Sequence, residues 1–364
     1  LFVNGDGELV YRFLGGKSED MFIKEGEKAV EAFAALPELK KYTKEYEKGN
    51  REKEFLNRYF IVKDRSGLDC SDVLLDYFAQ VDDARLLDSV HIPRIAKIAV
   101  FDQKLANRLV DAACKEAANP TKNKKEAVAV NKAVCTFLGA CLQKTARADQ
   151  EEFFEEVLAL KDRLFKATGA KESATAASLG GGNIYVPSEL SRLNYYSAKK
   201  KLDKFNRTFI DYMAALQKNY DETYKEKAAM REAMDAKLKA AKESGNEEEY
   251  ESAKRLRAMM FAFSSIDDYY ISTSMVENVE RYEEIFEGEK DAAYRDRVAG
   301  WYVFLHRLSP SAKTAVYVAD KLLALDKKEL AIEVLALGLK EGSAASGVEE
   351  EDVKACQAKL DELK

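Results

Sequence analysis

The sequence predicts a mainly α-helical protein with one short β-hairpin at its beginning, and three observations carry that expectation. Apolar residues recur at spacings of three and four over nearly all of the chain beyond residue 37. Apolar alternation is confined to the first fourteen residues. Only five prolines interrupt 364 residues, of which 34% are charged and 46% hydrophobic. That balance suits helices with long solvated faces around ordinary cores.

The hairpin comes first. Leu1-Phe2-Val3 and Glu8 to Leu14 flank Asn4-Gly5-Asp6-Gly7, whose glycines can take the positive φ of a tight turn. In the second strand Leu9, Tyr11 and Phe13 share one face and Val10 and Leu14 the other, with Arg12 the only polar residue among them. A strand apolar on both faces is normally covered on both sides. Two strands alone are marginal in water, so the pair is expected to belong to a larger sheet. After Gly15-Gly16, Ser18 is placed to cap a helix reaching about Ala34, with Glu19 and Asp20 in its first turn. Phe22, Ile23, Ala29, Val30 and Phe33 form its expected buried stripe. Gly26 falls on the same stripe and should let the helix approach the sheet closely. Pro37 marks the expected break.

The stretch LFVNGDGELVYRFLGG followed by SEDMFIKEGEKAV resembles the last two strands and last helix of thioredoxin-like proteins, over residues 1–34 of the 364. The resemblance implies a partial thioredoxin fold in residues 1–36. It also implies thiol–disulfide exchange in the parent protein, a bacterial envelope or periplasmic setting, and a helical extension that engages a protein or peptide partner. The family's chemistry uses a Cys-x-x-Cys pair at a helix N-terminus, where the dipole lowers one thiol's pKa, and a cis-proline loop facing it. Leu1 falls where that loop is expected to have ended, so neither element is among these residues. No catalytic residue, cofactor ligand or metal ligand is assigned.

Residues 37–170 read as helical pairs. Leu39, Tyr42 and Tyr46 answer Phe55, Leu56, Tyr59 and Phe60 across Gly49-Asn50. Leu68 to Val81 is a helix with Ser71 as its expected cap, and Pro93 opens the stretch Ile95 to Phe101. Lys104 to Ala118, Ala127 to Ala148 and Glu151 to Thr168 complete the set. The unit length fits an α-solenoid or TPR-like array without a strict repeat consensus. Residues 171–187, with Gly180-Gly181-Gly182-Asn183, read as a linker or loop. They lack the Gly-Lys-Ser/Thr ending of a phosphate loop.

Residues 188–364 begin with one or two long helices to about Ser244, turn at Gly245-Asn246 and return from Glu247 to Tyr270. The stretch Tyr224–Tyr250 suits a projecting antiparallel hairpin. Phe261-Ala262-Phe263 with Tyr269-Tyr270 is the expected packing centre. Ser309 is read as a cap with Pro310 at the first helical position. A TPR-like pair then spans Ala315–Leu323 and Glu329–Lys340, with Ala319 and Ala331 at close crossings. Residues 342–347 and a helix over Val348–Leu363 should cap it.

The chemistry-bearing residues are sparse. Cys70, Cys114, Cys135, Cys141 and Cys356 lack Cys-x-x-Cys spacing and read as small core residues. Cys135 and Cys141 stand about 120° apart on an ideal helix, which does not suit an intrahelical bridge. His91 and His306 lie among apolar residues and read as structural. Asp82-Asp83 and Asp267-Asp268 are adjacent and share no helix face. A net charge of −6 argues against nucleic acid as partner, and the clusters Lys122, Lys124, Lys125 and Lys199 to Lys201 read as solvated surface. No apolar run is long enough to span a bilayer. A non-catalytic helical scaffold binding peptides or proteins is the alternative to the thioredoxin-family reading.

Overall fold

The computed structural model describes residues 1–13, 15–16, 18–121, 123–168, 188–286, 291–342 and 350–364. For residues 124, 223–232, 235, 257–271, 273–274 and 341–342 it describes backbone alone. The fold is mainly α, and the chain divides into two compact units, Leu1–Lys171 and Glu172–Lys364. The expected linker, residues 171–187, lies outside the described residues.

In the first unit β1 (Phe2–Val3) and β2 (Leu9–Tyr11) pair antiparallel, Phe2 opposite Tyr11 and Val3 opposite Leu9. The Asn4 carboxamide oxygen closes the turn by accepting the N–H groups of Asp6 at 3.0 Å and Glu8 at 2.8 Å. Val10 and Tyr11, on opposite faces of β2, are both buried, as their alternation requires.

Helix α1 (Glu19–Glu47) corrects two expectations. It does not break at Pro37, which lies inside it. A helix-interior proline removes one backbone hydrogen bond and costs about 3 kcal/mol. Here buried packing continues on both sides of it, through Ala29, Ala32, Leu36 and Leu39. Beyond it, Tyr42 meets Phe55 edge-on at 5.7 Å and Tyr46 lies 5.4 Å from Tyr59. The second correction is that Ser18, extended as a cap should be, makes no side-chain cap bond. The acidic first turn, Glu19 and Asp20, still complements the helix dipole.

Helix α2 (Lys53–Arg65) returns against α1 after Gly49 and Asn50. Helix α3 (Ser71–Phe78), a 3₁₀ turn at Asp83–Arg85 and the short α4 (Ile92–Ile95) lead to α5 (Gln103–Ala118), α6 (Lys124–Arg147) and α7 (Glu151–Thr168). The role expected of Ser71 falls to Asp69, whose carboxylate accepts the Ser71 N–H at 2.9 Å. The Ser71 hydroxyl instead accepts the Ala99 N–H at 2.9 Å. Arg108 of α5 closes the end of α3, donating to the carbonyls of Phe78 and Val81 and to the Asp83 carboxylate. Leu56, Val73, Leu74, Phe78, Leu109 and Phe137 lie in one continuous core that also takes in β2 and α1.

The second unit contains α8 (Ser188–Ala198), α9 (Leu202–Glu243), α10 (Glu247–Ile285), α11 (Ala292–Leu308), α12 (Ala312–Ala324), α13 (Lys328–Gly342) and α14 (Glu350–Leu363). The expected break near Ser188–Ser244 falls at Lys200, so two helices form. Asn246 caps α10 by accepting the N–H groups of Glu248 and Glu249, each at 3.2 Å. An aromatic core joins α9, α10 and α11: Tyr282 lies 5.0 Å from Phe209 and 5.0 Å from Trp301, with Phe205, Phe286 and Tyr294 around it. The side chains of Phe261, Phe263, Tyr269 and Tyr270, and residues 343–349 of the expected cap, lie outside what is described. Ser311, not Ser309, caps α12, its hydroxyl accepting the Thr314 N–H at 3.2 Å. Pro310 therefore precedes the cap. Ala319 and Ala331 are fully buried, and the helices also crowd at Gly338, where an added Cβ would stand 2.5 Å from Ala315 Cβ.

Candidate functional site

All five cysteines are free thiols, with Cys70, Cys141 and Cys356 buried and Cys114 and Cys135 half-buried. Burial pushes Cys70 and Cys141 up to about 12 and Cys135 up to about 11, and raises Cys114 and Cys356 as well. Thiolate, the reactive form, is thereby suppressed at neutral pH. Among the described residues no group of three His, Cys, Asp or Glu side chains could hold a metal ion.

Both histidines are buried. His91 is buried, with Nδ1 at 2.7 Å from the Arg85 carbonyl and Nε2 at 3.2 Å from the Tyr77 hydroxyl. His306 is 2% exposed, its Nδ1 3.3 Å from Thr314 Oγ1. Burial depresses both, His306 to about 4. Asp83 serves Arg108, and the Asp267 and Asp268 side chains lie outside what is described. Lys201 donates to the Tyr195 hydroxyl at 3.1 Å, and Lys125 is exposed. A shallow open recess lies on α9, lined by Ala214, Gln217, Lys218, Asp221 and Glu222.

What the structure does assemble is an apolar surface. Positions 25, 29, 32, 36 and 39 of α1 turn toward the core of the first unit, with Glu25 held there by bonds from Tyr11 at 2.5 Å and Lys28 at 2.9 Å. Phe22, Ile23, Val30 and Phe33 point away from it, and Val30 is 70% and Phe33 55% exposed. This overturns the expected buried stripe: of its five residues, only Ala29 is buried. The helix has two apolar faces, and the described chain covers only one. Gly26, between Phe22 and Val30, meets nothing, so the expected close approach to the sheet does not occur.

The same surface continues onto the hairpin. The rings of Phe2, Phe13 and Phe22 cluster with centroids 6.0–6.2 Å apart. Leu1, Val3 and Met21 are exposed beside them. Among the described residues β1 pairs only with β2, which leaves its outer edge free. A free strand edge and an adjoining exposed apolar helix face are features that folded monomers ordinarily cover.

Sequence periodicity missed this division because it registers that a face is apolar, not which of two apolar faces finds a partner. The available signal was the width of the apolar sector of α1, wider than one interface needs. No helix of the described residues is long and apolar enough to cross a membrane. Compared with protein-family models, curated proteins and solved structures, the chain matches none, and its functional reading rests on this surface.

Proposed function

We propose that this chain is part of a thiol–disulfide exchange protein of the thioredoxin family. In this reading residues 1–34 close a thioredoxin-like domain, and the helical remainder engages a protein or peptide partner. The observation that carries the reading is the uncovered surface of Phe22, Ile23, Val30 and Phe33 beside the free edge of β1. Further strands of a sheet would pair with that edge and lie over that helix face, giving the two-layer packing an amphipathic helix and a hairpin require. Redox chemistry would then belong to the covering part, consistent with the suppressed thiols of this one.

The test is a longer product of the same gene that includes the codons upstream of Leu1. The expected product contains a Cys-x-x-Cys pair, reduces insulin disulfides with dithiothreitol, and protects the α1 amides more strongly than residues 1–364 alone. An upstream sequence without such a pair, or no change in α1 protection, overturns the reading. A scaffold without redox chemistry is the second reading, favoured by the burial of all three fully enclosed thiols. It predicts partner binding without insulin reduction at any chain length.

A further inference from the structure

We propose that the hairpin is a splint that holds α1 rigid across Pro37, so that the two halves of the helix move as one lever. Proline at position 37 has no N–H to give to the Phe33 carbonyl, and its ring crowds that turn, so α1 is weakest between Phe33 and Pro37. Two contacts from the hairpin straddle this point, and a third anchors the hairpin beyond α1. Tyr11 donates to Glu25 on the N-terminal half at 2.5 Å. Glu8 accepts from Lys40 on the C-terminal half, both carboxylate oxygens lying 2.8 Å from Nζ. Arg12 reaches past α1 altogether, its Nε donating to the Gly67 carbonyl at 3.1 Å in the α2–α3 connection.

The third contact is tight. Gly67 has φ +64°, and a Cβ there would stand 2.3 Å from the Arg12 carbonyl oxygen. Only glycine permits both that backbone conformation and that approach. The Glu8–Lys40 pair is solvent-exposed and weak by itself. Tyr11 and the Gly67 contact therefore hold the hairpin in place, and the ion pair carries its hold on α1 beyond Pro37. A consequence is that whatever seats on Phe22, Val30 and Phe33 is held at a fixed angle to α2–α7, although a proline stands between them.

Amide hydrogen exchange on residues 1–364 tests it. Gly67→Val should speed exchange in the peptide spanning residues 33–41 by about tenfold, and Glu8→Gln by roughly two- to threefold, with α5–α7 unchanged. Adding Pro37→Ala, which restores the missing bond, should return both to within about twofold of Pro37→Ala alone. The proposal is overturned if residues 9–12 lose protection in Gly67→Val while residues 33–41 do not. It is equally overturned if Pro37→Ala fails to suppress the effect. Should Gly67→Val not fold, the surface variants Glu8→Gln and Lys40→Gln decide the question by the same Pro37→Ala comparison.

Discussion

Tyr11 Oη donates to Glu25 Oε2 at 2.5 Å, fastening β2 to α1 through a carboxylate drawn into the core. Burial, reinforced by that carboxylate, pushes the Tyr11 hydroxyl up to about 12, so it remains a donor at neutral pH. Tyr11→Phe keeps the ring and removes the donor to a buried charge, with an expected cost of about 1–3 kcal/mol. Urea unfolding followed by hydrogen exchange in the first unit measures it. A loss confined to the second unit would show that the bond does not support the hairpin.

The α12–α13 crossing has no room at Gly338. Besides Ala315 Cβ, a side chain there would meet the Ser311 carbonyl oxygen at 2.9 Å. Gly338→Val should therefore force the helices apart and cost about 1–3 kcal/mol as overpacking. Near-ultraviolet circular dichroism of the melt should show the loss. Gly300→Ala, where an added Cβ meets nothing, is the matched control and should be neutral or slightly stabilising.

His306 gives the second unit an acid dependence of defined sign. Its ordinary value of 6.5 is depressed by burial to about 4 in the folded protein. Between those values the unfolded chain binds the proton more readily than the folded one, so stability rises with pH across that window. It is fully present above 6.5 and lost as pH falls toward 4, by about 3 kcal/mol in total. His306→Phe should flatten that part of the stability–pH profile. An unchanged slope in a folded variant would place the titrating group elsewhere.

Lys200 takes φ +55° at the junction of α8 and α9, a left-handed conformation that glycine adopts without strain. Lys200→Gly should raise stability by up to about 1 kcal/mol. A differential-scanning melt that shifts down instead would mean that the lysine side chain contributes more than its backbone costs.

The five thiols should react slowly with an uncharged alkylating agent at neutral pH and become fully reactive in denaturant. Cys135, half-buried yet held near 11, is the informative one. Mass spectrometry after brief iodoacetamide treatment should find it mostly unmodified in the folded chain. Rapid modification would contradict the burial assigned to it.

Most of the architecture was legible because it depends on local periodicity. The residue pairs Tyr42–Phe55 and Tyr46–Tyr59, and the Gly245-Asn246 reversal, follow from spacing and turn chemistry that neighbouring residues supply. Pro37 was misleading for the opposite reason. Proline's local preference is real, but Leu36 and Leu39 bury side chains on either side of it, and that tertiary gain outweighs one lost bond. Capping is decided by which of several adjacent oxygens reaches an N–H, and here Asp69 and Ser311 do so in place of Ser71 and Ser309. The surface of Phe22, Val30 and Phe33 was legible as apolar and illegible as exposed. Burial is a property of what lies opposite, and nothing in a helix's own spacing records it.

Arg108 ties the last carbonyl of α3, that of Phe78, and the Val81 carbonyl of the following turn to a guanidinium that belongs to α5, some thirty residues further along the chain. The Phe78 carbonyl already accepts the Val81 N–H at 3.2 Å, so local turns begin to close the end of α3 and docking of α5 adds a charged donor to it. The two helices should thus form one cooperative unit, because the guanidinium of one satisfies backbone at the end of the other. Native-state exchange would register them opening together, at one free energy, rather than fraying one after the other.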